Sequence, residues 1–539
     1  MCDALLYMSN AKYDFIIVGA GTAGCLIANI LNTKTNYSIC LLEGGQNYDY
    51  DKEIMDLTLS GELQTRYGQK YYWPLGDETH ELRMRYHCKD YCPNNSKYEN
   101  HFPYAGGKLF GGSSSINGVQ FVKGTVAFFD RIESITGDPL WSAQNAFHSY
   151  NQIEKFQGTT TDSQYKGLKG HLPIRQTTPT AMTQKFANAI TRVTNQVEVI
   201  DYNDPNTPIG GFQTWQLTSF PNGSRGSSSR AYLEPLLRIN KNEQNCYLSK
   251  NGRLKVFANA QVQSIVFNQN KKAIGVNVTI NGQAQKIYCN QKLILSAGIQ
   301  SPFILLNSGI GPSSDLKKAG IDVVVDNPNV GKNLLNHPII NVFGTANSED
   351  KGLARPDDLY VGGAFLNSET VRDGLRDFQL IGSNPKTGSF SIIGLLLTAE
   401  SQGYIKIIAP NQFQFNFNYL QNPKDMEKMK ELVIMMTEIL DDMGNGYKTT
   451  LPGKDIVEDD KKLEKYILEG LSQAHHYVGT CKMASVKDCG VVNSNGEVYG
   501  VKNLIIADDS ILPILNDGNT SATAYLVGYI IAHKILRSF

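Results

Sequence analysis

Three glycines near the N-terminus have the spacing of a loop that brings backbone amides close to phosphate groups. They are Gly19, Gly21 and Gly24. The first allows a tight turn, the second lets a pyrophosphate approach the backbone, and the third lets the following helix pack closely. Glu43 ends the next apolar segment, and its carboxylate suits the hydroxyls of a ribose. These four residues predict a dinucleotide-binding site, with a flavin or a nicotinamide as the reactive part.

Two further segments decide between these cofactors. Residues 106–117 read Gly-Gly-Lys-Leu-Phe-Gly-Gly-Ser-Ser-Ser-Ile-Asn, and residues 301–312 read Ser-Pro-Phe-Ile-Leu-Leu-Asn-Ser-Gly-Ile-Gly-Pro. Both resemble signatures of the glucose–methanol–choline (GMC) oxidoreductase family. Residues 225–233 and 329–337 add to the resemblance, which spans the chain from Tyr13 to the C-terminal helix. The sequence is therefore identified as a member of this family, with FAD as its cofactor.

The resemblance implies a set of residues around the cofactor. A Gly/Ser loop offers backbone N–H groups to pyrophosphate and flavin, the Asn117 amide bonds polar cofactor atoms, and Asp508 matches an acidic residue near the flavin side chain. Thr520 lies at a helix start, which favours negative charge on reduced flavin. Ile116 stands where some family members attach flavin through a histidine, so FAD is expected to be non-covalent. The implied cofactor-binding residues are Gly19, Gly21, Gly24, Glu43, Gly111, Gly112, Ser113, Ser114, Asn117, Val262, Asp508, Asn519 and Thr520.

The resemblance also implies a catalytic pair. GMC enzymes oxidise an alcohol by removing the hydroxyl proton while hydride passes to the flavin, which requires a base of near-neutral pKa. Residues 475–480 (His-His-Tyr-Val-Gly-Thr) resemble the family's His-x-Val-Gly-Thr element, and this alignment selects His476 as the base. His475 is expected to face the opposite way on an extended segment. Asn519 occupies the second catalytic position, where an amide can hold the substrate oxygen but cannot act as the base. No metal is predicted.

Two functions stay open from the sequence. One is FAD-dependent oxidation of an alcohol to an aldehyde or ketone, in the style of aryl-alcohol oxidases and choline dehydrogenases, with O₂ or another electron acceptor. The other is a structural assembly protein. Departures from the family pattern at Phe110, Asn336 and Thr523 and the AT-rich residue usage resemble the GMC proteins of giant DNA viruses, which occur as particle components. The aromatic residues Tyr404, Phe413, Phe415, Phe417 and Tyr419 could line a substrate pocket, but one face of a buried strand explains them better.

The elements that must position these residues follow from the hydrophobic pattern. A strand at Tyr13–Val18, a helix at Cys25–Asn32 and a strand at Tyr37–Leu42 form a βαβ unit around the first glycines. Asn281-Gly282 predicts a hairpin turn. Further predicted elements are a helix beginning at Ser301, a strand at Val323–Asp326, strands at Phe390–Leu397 and Tyr404–Ile408, a helix at Asp425–Asp442, a strand at Leu504–Ala507 and a helix at Thr523–Leu536.

The order of these elements predicts the fold class. It is an α/β FAD-binding domain of the Rossmann-like GMC type, with an interleaved α+β substrate domain built on an antiparallel sheet. The FAD-binding domain is expected to be discontinuous, at residues 1–165, 210–335 and 465–539. The substrate-binding domain is expected at residues 166–209 and 336–464. Residues 50–100 have little periodicity and predict a long surface or lid region.

Composition and charge restrict the partners. The 539 residues carry 51 Lys and Arg against 51 Asp and Glu, so nucleic acid is an unlikely partner unless the chain forms an assembly. No apolar run of about 18 residues predicts a membrane span, and no signal peptide fits the first dozen residues. The expected location is cytoplasmic or, for a viral chain, the virion. A homo-oligomer is left open.

Nine cysteines in a chain of this length do not predict a disulfide framework. Cys25, Cys40 and Cys481 are expected to be small buried thiols. Cys88 and Cys92 form a local cluster with His87 and His101, whose spacing does not fit a zinc site. A loop disulfide between these two cysteines and free thiols both stay open, with free thiols favoured.

Overall fold

A computed structural model describes residues 11–60, 63, 70–73 and 106–539, apart from 207–208, 239–244, 348, 351, 370–372 and 385–387. Most of the predicted lid region lies outside the described residues, as do Cys88 and Cys92 with the two neighbouring histidines. The strands are, in chain order, β1 (Ala11–Val18), β2 (Ile39–Leu42), β3 (Glu154–Gln157), β4 (Leu172–Gln176), β5 (Gly210–Phe212), β6 (Gln216–Leu217), β7 (Cys246–Leu248), β8 (Leu254–Phe257), β9 (Ala260–Phe267), β10 (Ala273–Ile280), β11 (Gln283–Leu295), β12 (Ile310–Gly311), β13 (Val325–Asp326), β14 (Lys332–Leu334), β15 (Pro338–Thr345), β16 (Tyr360–Leu366), β17 (Phe378–Ser383), β18 (Ser389–Leu396), β19 (Gly403–Ala409), β20 (Gln412–Asn416), β21 (Lys448–Leu451), β22 (Ser472–Gln473) and β23 (Leu504–Ile506).

Helices alternate with the strands along the described chain, and the last element is a helix. Short 3-10 turns at Gly112–Ser115 and Asp509–Ile511 and a π-helix at Ser229–Leu233 lie close to the cleft described below. The α-helices are, in chain order, α1 (Thr22–Lys34), α2 (Lys52–Met55), α3 (Val126–Thr136), α4 (Ala143–Ile153), α5 (Ala181–Thr194), α6 (Ser301–Asn307), α7 (Ser313–Lys318), α8 (Pro423–Asp442), α9 (Lys454–Val457), α10 (Asp460–Gly470) and α11 (Ser521–Arg537).

The first sheet has a parallel centre in the order β8-β2-β1-β11-β23. The ends of β1 and β2 are buried on both faces, which explains their continuous apolar runs. Helix α1 connects these two strands, and α11 packs directly on α1, where a Cβ on Gly528 would lie 3.0 Å from the Cα of Ala23. The last 40 residues therefore complete the domain that the first 40 begin.

The antiparallel extension of this sheet contains the predicted hairpin. β10 and β11 pair antiparallel, and the two residues between them, Asn281 and Gly282, have φ angles of 50° and 81°. Positive φ at both central residues is the geometry that an Asn-Gly turn favours. The hairpin prediction is confirmed.

The second sheet is antiparallel, in the order β21-β15-β18-β17-β16-β5, with β22 beside β15. Helix α8 packs on one face, where a Cβ on Gly394 would meet the Met436 sulfur at 2.6 Å. β5 begins at Gly210, the first residue that the sequence assigns again to the FAD-binding domain, but β5 pairs with β16 of the second sheet. The predicted division into domains stays a prediction.

The described cysteines agree with the sequence in part. Cys25, Cys40 and Cys481 are buried free thiols, as predicted. Cys246 on β7 is disulfide-bonded, which the sequence did not indicate. Among the helices of the described ranges, none is long and apolar enough to cross a membrane.

Candidate active site

A cleft runs along the carboxyl ends of the parallel strands, where ligands bind in open α/β sheets. Gly19, Glu43 and Ser296 line it, and they directly follow the strands β1, β2 and β11. Asp508 also lines it and lies two residues after the end of β23. His476 lines the same cleft. Of the residues predicted from the sequence, all but Gly24 and Gly111 line this cleft.

The first glycine loop has the predicted close contacts. A Cβ on Gly24 would lie 2.0 Å from the Gly19 carbonyl oxygen, so a larger residue there would separate α1 from β1. Gly21 has an ordinary φ of −80° and faces the cleft, with no atom near its would-be Cβ except the Ser296 oxygen at 3.7 Å. The first turn of α1 has no side-chain cap and no acidic residue. Its N–H groups therefore suit an anion in the cleft.

The Gly/Ser loop packs directly on the first loop. The Gly111 N–H donates to the Ala20 oxygen at 2.7 Å. Gly112 has a φ of 52°, and a Cβ there would lie 2.8 Å from the Cα of Gly21. Gly111 and Gly112 thus hold the two loops together, and Gly112, Ser113 and Ser114 line the cleft.

Two buried carboxylates border the cleft. Glu43 accepts the N–H groups of Ala20 at 2.8 Å and Gly45 at 2.9 Å, and burial raises its pKa to about 7. Asp508 accepts the Gly298 N–H at 3.0 Å and the Ser301 hydroxyl at 2.6 Å, and burial raises its pKa to about 6. Both carboxylates line the cleft, and their hydrogen bonds also hold the turns that form its wall.

The cleft has donors that a dinucleotide would satisfy. The Gln120 side-chain amide nitrogen and the Ser521 hydroxyl are buried without a hydrogen-bond partner among the described residues, and both residues line the cleft. Ser521 is the first residue of α11, whose N-cap residue Thr520 makes no side-chain cap hydrogen bond. Together with the uncapped start of α1, these groups fit a ligand that carries a pyrophosphate and a polar ring.

His476 is held by a chain of hydrogen bonds. Its Nδ1 lies 2.8 Å from Nδ1 of His337, and Nε2 of His337 lies 2.8 Å from the backbone oxygen of Asn516. His476 and Asn519 both line the cleft, and Nε2 of His476 lies 3.4 Å from the Asn519 side-chain nitrogen. The Asn519 oxygen accepts from the Gln379 amide at 2.8 Å. The two residues selected from the sequence, His476 and Asn519, thus lie together.

Sequence profiles of the family described as GMC oxidoreductase match residues 13–339 and 399–528. This chain belongs to the GMC oxidoreductases. It is therefore an FAD-dependent oxidoreductase acting on CH–OH groups, and the fold class and cofactor predicted from the sequence are confirmed.

Known proteins similar to this GMC oxidoreductase match it over nearly its whole length. The 5-(hydroxymethyl)furfural oxidase of Methylovorus sp. (strain MP688) is 26% identical, over 98% of this chain and 99% of its own. Oxygen-dependent choline dehydrogenase 1 of Chromohalobacter salexigens is 27% identical, over 98% and 96%. The crystal structure of pyridoxine 4-oxidase from Mesorbium loti superposes with a TM-score of 0.83 at 21% identity, over 97% of this chain and 99% of the other, which supports the GMC fold.

His475 does not face away from the site of this GMC oxidoreductase. It has a φ of 59°, so the backbone is not extended there, and His475 lines the same cleft as His476. Its Nδ1 lies 2.8 Å from the Tyr477 hydroxyl. Tyr477 in turn stacks on Phe417, which is buried. The expectation of an outward His475 was wrong because a left-handed residue interrupts the alternation of an extended strand.

Asn336, one of the departures from the family pattern, is hydrogen-bonded to both His337 and His476. Its side-chain oxygen accepts the N–H groups of His337 at 2.9 Å and His476 at 2.8 Å. Its amide nitrogen donates to the Gln473 oxygen at 3.1 Å and to the Tyr419 hydroxyl. An aspartate could accept the two N–H groups but could not make these donations, so Asn336 matches its neighbours.

The other two departures are accommodated by packing and hydrogen bonding. Phe110 is buried with its ring centroid 5.3 Å from that of Tyr247. The Thr523 hydroxyl accepts from the Asn516 amide, next to the carbonyl that orients His337. Sequence reasoning did not find His337 or Gln379 as parts of the site, although the unusual Asn336-His337 pair was a signal for the first. In the described ranges no cluster of three or more potential ligands forms a metal site.

Proposed function

We propose that this GMC oxidoreductase oxidises an uncharged alcohol to an aldehyde or ketone, with His476 as the base. FAD, when bound, supplies the hydride acceptor. The observation that carries the proposal is the hydrogen-bond chain from Asn516 through His337 to His476, because it determines which nitrogen of His476 carries a proton.

The chain has one consistent arrangement of protons for neutral histidines. The Asn516 backbone oxygen can only accept, so Nε2 of His337 carries the hydrogen and its Nδ1 is a bare acceptor. Nδ1 of His476 must then donate to His337, and its own hydrogen is used there. Nε2 of His476 is left as a lone pair facing the cleft, which is what removal of a hydroxyl proton requires.

Burial keeps both histidines neutral. Burial lowers the pKa of His337 to about 4. Burial, followed by the nearby His337 and His475, lowers the pKa of His476 well below its ordinary value. A base with a lowered pKa stays unprotonated as the pH falls, until the pH passes through that lowered value.

Gln379 and Asn519 supply the second hydrogen bond to the substrate. The Gln379 amide donates to the Asn519 oxygen, so the Asn519 nitrogen points to Nε2 of His476. A substrate hydroxyl between these two groups would receive one hydrogen bond from Asn519 and give its proton to His476. Gln379 is fully buried and orients Asn519 without contacting the substrate.

The charges near His476 favour an uncharged substrate. The ionisable groups that shift the pKa of His476 are the two histidines 337 and 475, and no carboxylate of the described residues is among them. The acidic residues that line the cleft are Glu43, Asp508 and Asp509, and none of them is among the groups that shift the pKa of His476. A quaternary ammonium group would therefore lack a carboxylate partner beside the reacting carbon.

The proposal is tested by anaerobic bleaching of the FAD-loaded protein with a panel of alcohols. We expect benzylic and aliphatic alcohols to reduce the flavin faster than choline does, because the site beside His476 is neutral. If choline reduced the flavin faster than the other alcohols, the proposal of an uncharged substrate would be contradicted. A failure of every alcohol in the panel would contradict the proposed activity. Reoxidation of the bleached protein by air would identify O₂ as an acceptor.

FAD is expected to leave the protein on denaturation. Ile116, at the position of covalent attachment in other GMC enzymes, has no nucleophilic atom, although it lines the cleft. Precipitation with acid followed by centrifugation should leave the yellow cofactor in the supernatant. Flavin fluorescence that stays with the polypeptide on a denaturing gel would contradict non-covalent binding.

Replacing His337 is expected to lower kcat by about tenfold to a hundredfold, a part of what a positioned base contributes, while KM changes little. The His337→Phe variant removes the acceptor that holds the proton on Nδ1 of His476. Stopped-flow reduction as a function of pH measures the effect. In the unmodified protein the acid limb should lie below pH 6.5, because the pKa of His476 is lowered.

A His337→Gln variant serves as the matched control, since a glutamine oxygen can accept from Nδ1 of His476. It should recover part of the lost kcat. Equal losses in both variants with unfolding of both would instead indicate a packing role. An unchanged kcat in His337→Phe would contradict the positioning role.

Neither the site nor the comparisons support the alternative of an assembly role. The expected partners of the reaction are the alcohol and an electron acceptor.

A further inference from the structure

Arg225 is a fully buried cation behind the wall of the cleft. It lies four residues before the π-helix that begins at Ser229. The proposed catalytic chain does not include it, and the sequence singled it out only as part of a family-like segment.

Every hydrogen bond of Arg225 goes to a neutral oxygen. Its Nε donates to the Ile54 carbonyl at 3.0 Å and its Nη2 to the Ser60 hydroxyl at 2.7 Å. Its Nη1 donates to the Asn117 carbonyl at 2.6 Å and to the Asn117 side-chain oxygen at 3.0 Å. A weaker contact of 3.5 Å joins Nη1 to the Ser114 carbonyl. No carboxylate within the described ranges pairs with this guanidinium.

The other buried cations of the described residues all have an acidic neighbour. Lys123 pairs with Glu154 at 2.9 Å, and Lys428 with Asp377 at 2.8 Å. The remaining cations follow the same rule: Lys166 pairs with Asp201, Arg175 with Asp357 and Asp358, and Arg376 lies beside Asp517. Arg225 is the exception, and burial lowers its pKa to about 10.

An unpaired buried charge is costly, so its surroundings favour a group of opposite charge nearby. Ser60, Ser114 and Asn117, which contact the guanidinium, all line the cofactor cleft. The Asn117 oxygen is occupied by Arg225 and by the Val119 N–H at 3.1 Å. The positive charge thus lies one side chain away from the cleft.

We propose that Arg225 is the fixed positive charge that the negative charge of bound FAD neutralises. Two parts of FAD carry such charge: the pyrophosphate, in every redox state, and the ring, when it is reduced or has added sulfite. A positive charge that acts on the pyrophosphate strengthens binding of FAD. A positive charge that acts on the ring favours reduction of the flavin. Its hydrogen bonds to Asn117 transmit this effect and orient that amide.

Two measurements on the FAD-loaded protein distinguish an effect of Arg225 on the pyrophosphate from an effect on the flavin ring. The dissociation constant of oxidised FAD reports on the pyrophosphate. The affinity for sulfite, which adds to the flavin ring and leaves negative charge on it, reports on the ring without any turnover. We expect the Arg225→Gln variant to lose about tenfold or more in at least one of these affinities, the lower end of what an opposite charge contributes at short range.

Arg175→Gln is the matched control, because Arg175 is buried but already paired with two aspartates. It should lower the thermal midpoint of the protein while sulfite affinity stays unchanged. Arg225→Lys keeps the charge but cannot reach Ile54, Ser60 and Asn117 together. It should keep both affinities within about threefold of the unmodified protein if the charge is what matters.

Unchanged FAD and sulfite affinities in Arg225→Gln would overturn the proposal. If that variant does not fold, Arg225→Lys decides, because loss of both affinities despite the retained charge would assign Arg225 a purely hydrogen-bonding role. These outcomes do not depend on whether any alcohol is oxidised.

Discussion

Replacing His476 with alanine is expected to lower the rate constant of flavin reduction by an alcohol by about 10²- to 10⁴-fold, the usual contribution of a positioned base. Nε2 of His476 is the lone pair that faces the cleft, and Asn519, 3.4 Å away, has no basic atom to replace it. His475 lines the same cleft, but its Nδ1 is engaged by Tyr477 and it lies outside the chain through His337. FAD should stay bound, since none of the loops at the phosphate end contains His476.

The measurement is anaerobic stopped-flow reduction of the FAD-loaded variant with the best alcohol of the panel. The His148→Ala variant is the matched control, because His148 is exposed on α4 and should leave the rate unchanged. The flavin absorbance per mole of protein shows whether the cofactor is retained. Reduction of His476→Ala at the unmodified rate would remove His476 from its proposed role.

Replacing Gly21 with valine should lower the affinity for FAD by at least about a hundredfold, because each lost hydrogen bond to a charged group is worth about 1.5–3 kcal/mol. The would-be Cβ of Gly21 has no neighbour closer than 3.7 Å, and its φ of −80° suits any residue. The added side chain therefore enters the cleft beside the uncapped start of α1. The fold should tolerate it.

Gly453→Val is the matched control, since Gly453 caps α9 with a similar backbone, φ −72° and ψ 163°. It should bind FAD as the unmodified protein does. Thermal unfolding of both apoproteins, with and without added FAD, makes the comparison. A Gly21→Val protein that is stabilised by FAD as much as the control would contradict the position of the pyrophosphate at this loop.

Locally determined features of the fold could be predicted from the sequence. The Asn281-Gly282 turn and the start of α6 at Ser301 depend on local residue preferences: Asn-Gly favours positive φ, and the proline after Ser301 suits the first turn of a helix. The predicted helix Cys25–Asn32 is shorter than α1, because apolar periodicity marks only the buried turns of a helix. α8 begins at Pro423, two residues before its predicted start, where Asn422 caps it.

The site could be predicted only in part. His476 and Asn519 were selected by family resemblance, and they do meet in the cleft. His337 lies 139 residues before His476 in the chain, and Gln379 lies 140 before Asn519, so no local pattern connects them. His475 faces the cleft because of one left-handed residue, which no side-chain pattern indicates. That Arg225 lacks an acidic partner among the described residues follows only from its neighbours in space, which no local sequence pattern indicates.

The placement of β23 and α11 determines when the cofactor site can form during synthesis of the chain. The N-terminal glycine loop leaves the ribosome early, yet the strand that borders Asp508 and the helix that packs on α1 are synthesised last. A nascent chain that ends before residue 504 therefore lacks Asp508, Asn519 and Thr520 of the cleft and the helix that packs on α1. We therefore expect the full chain to retain FAD and a chain that ends before residue 504 to lose it.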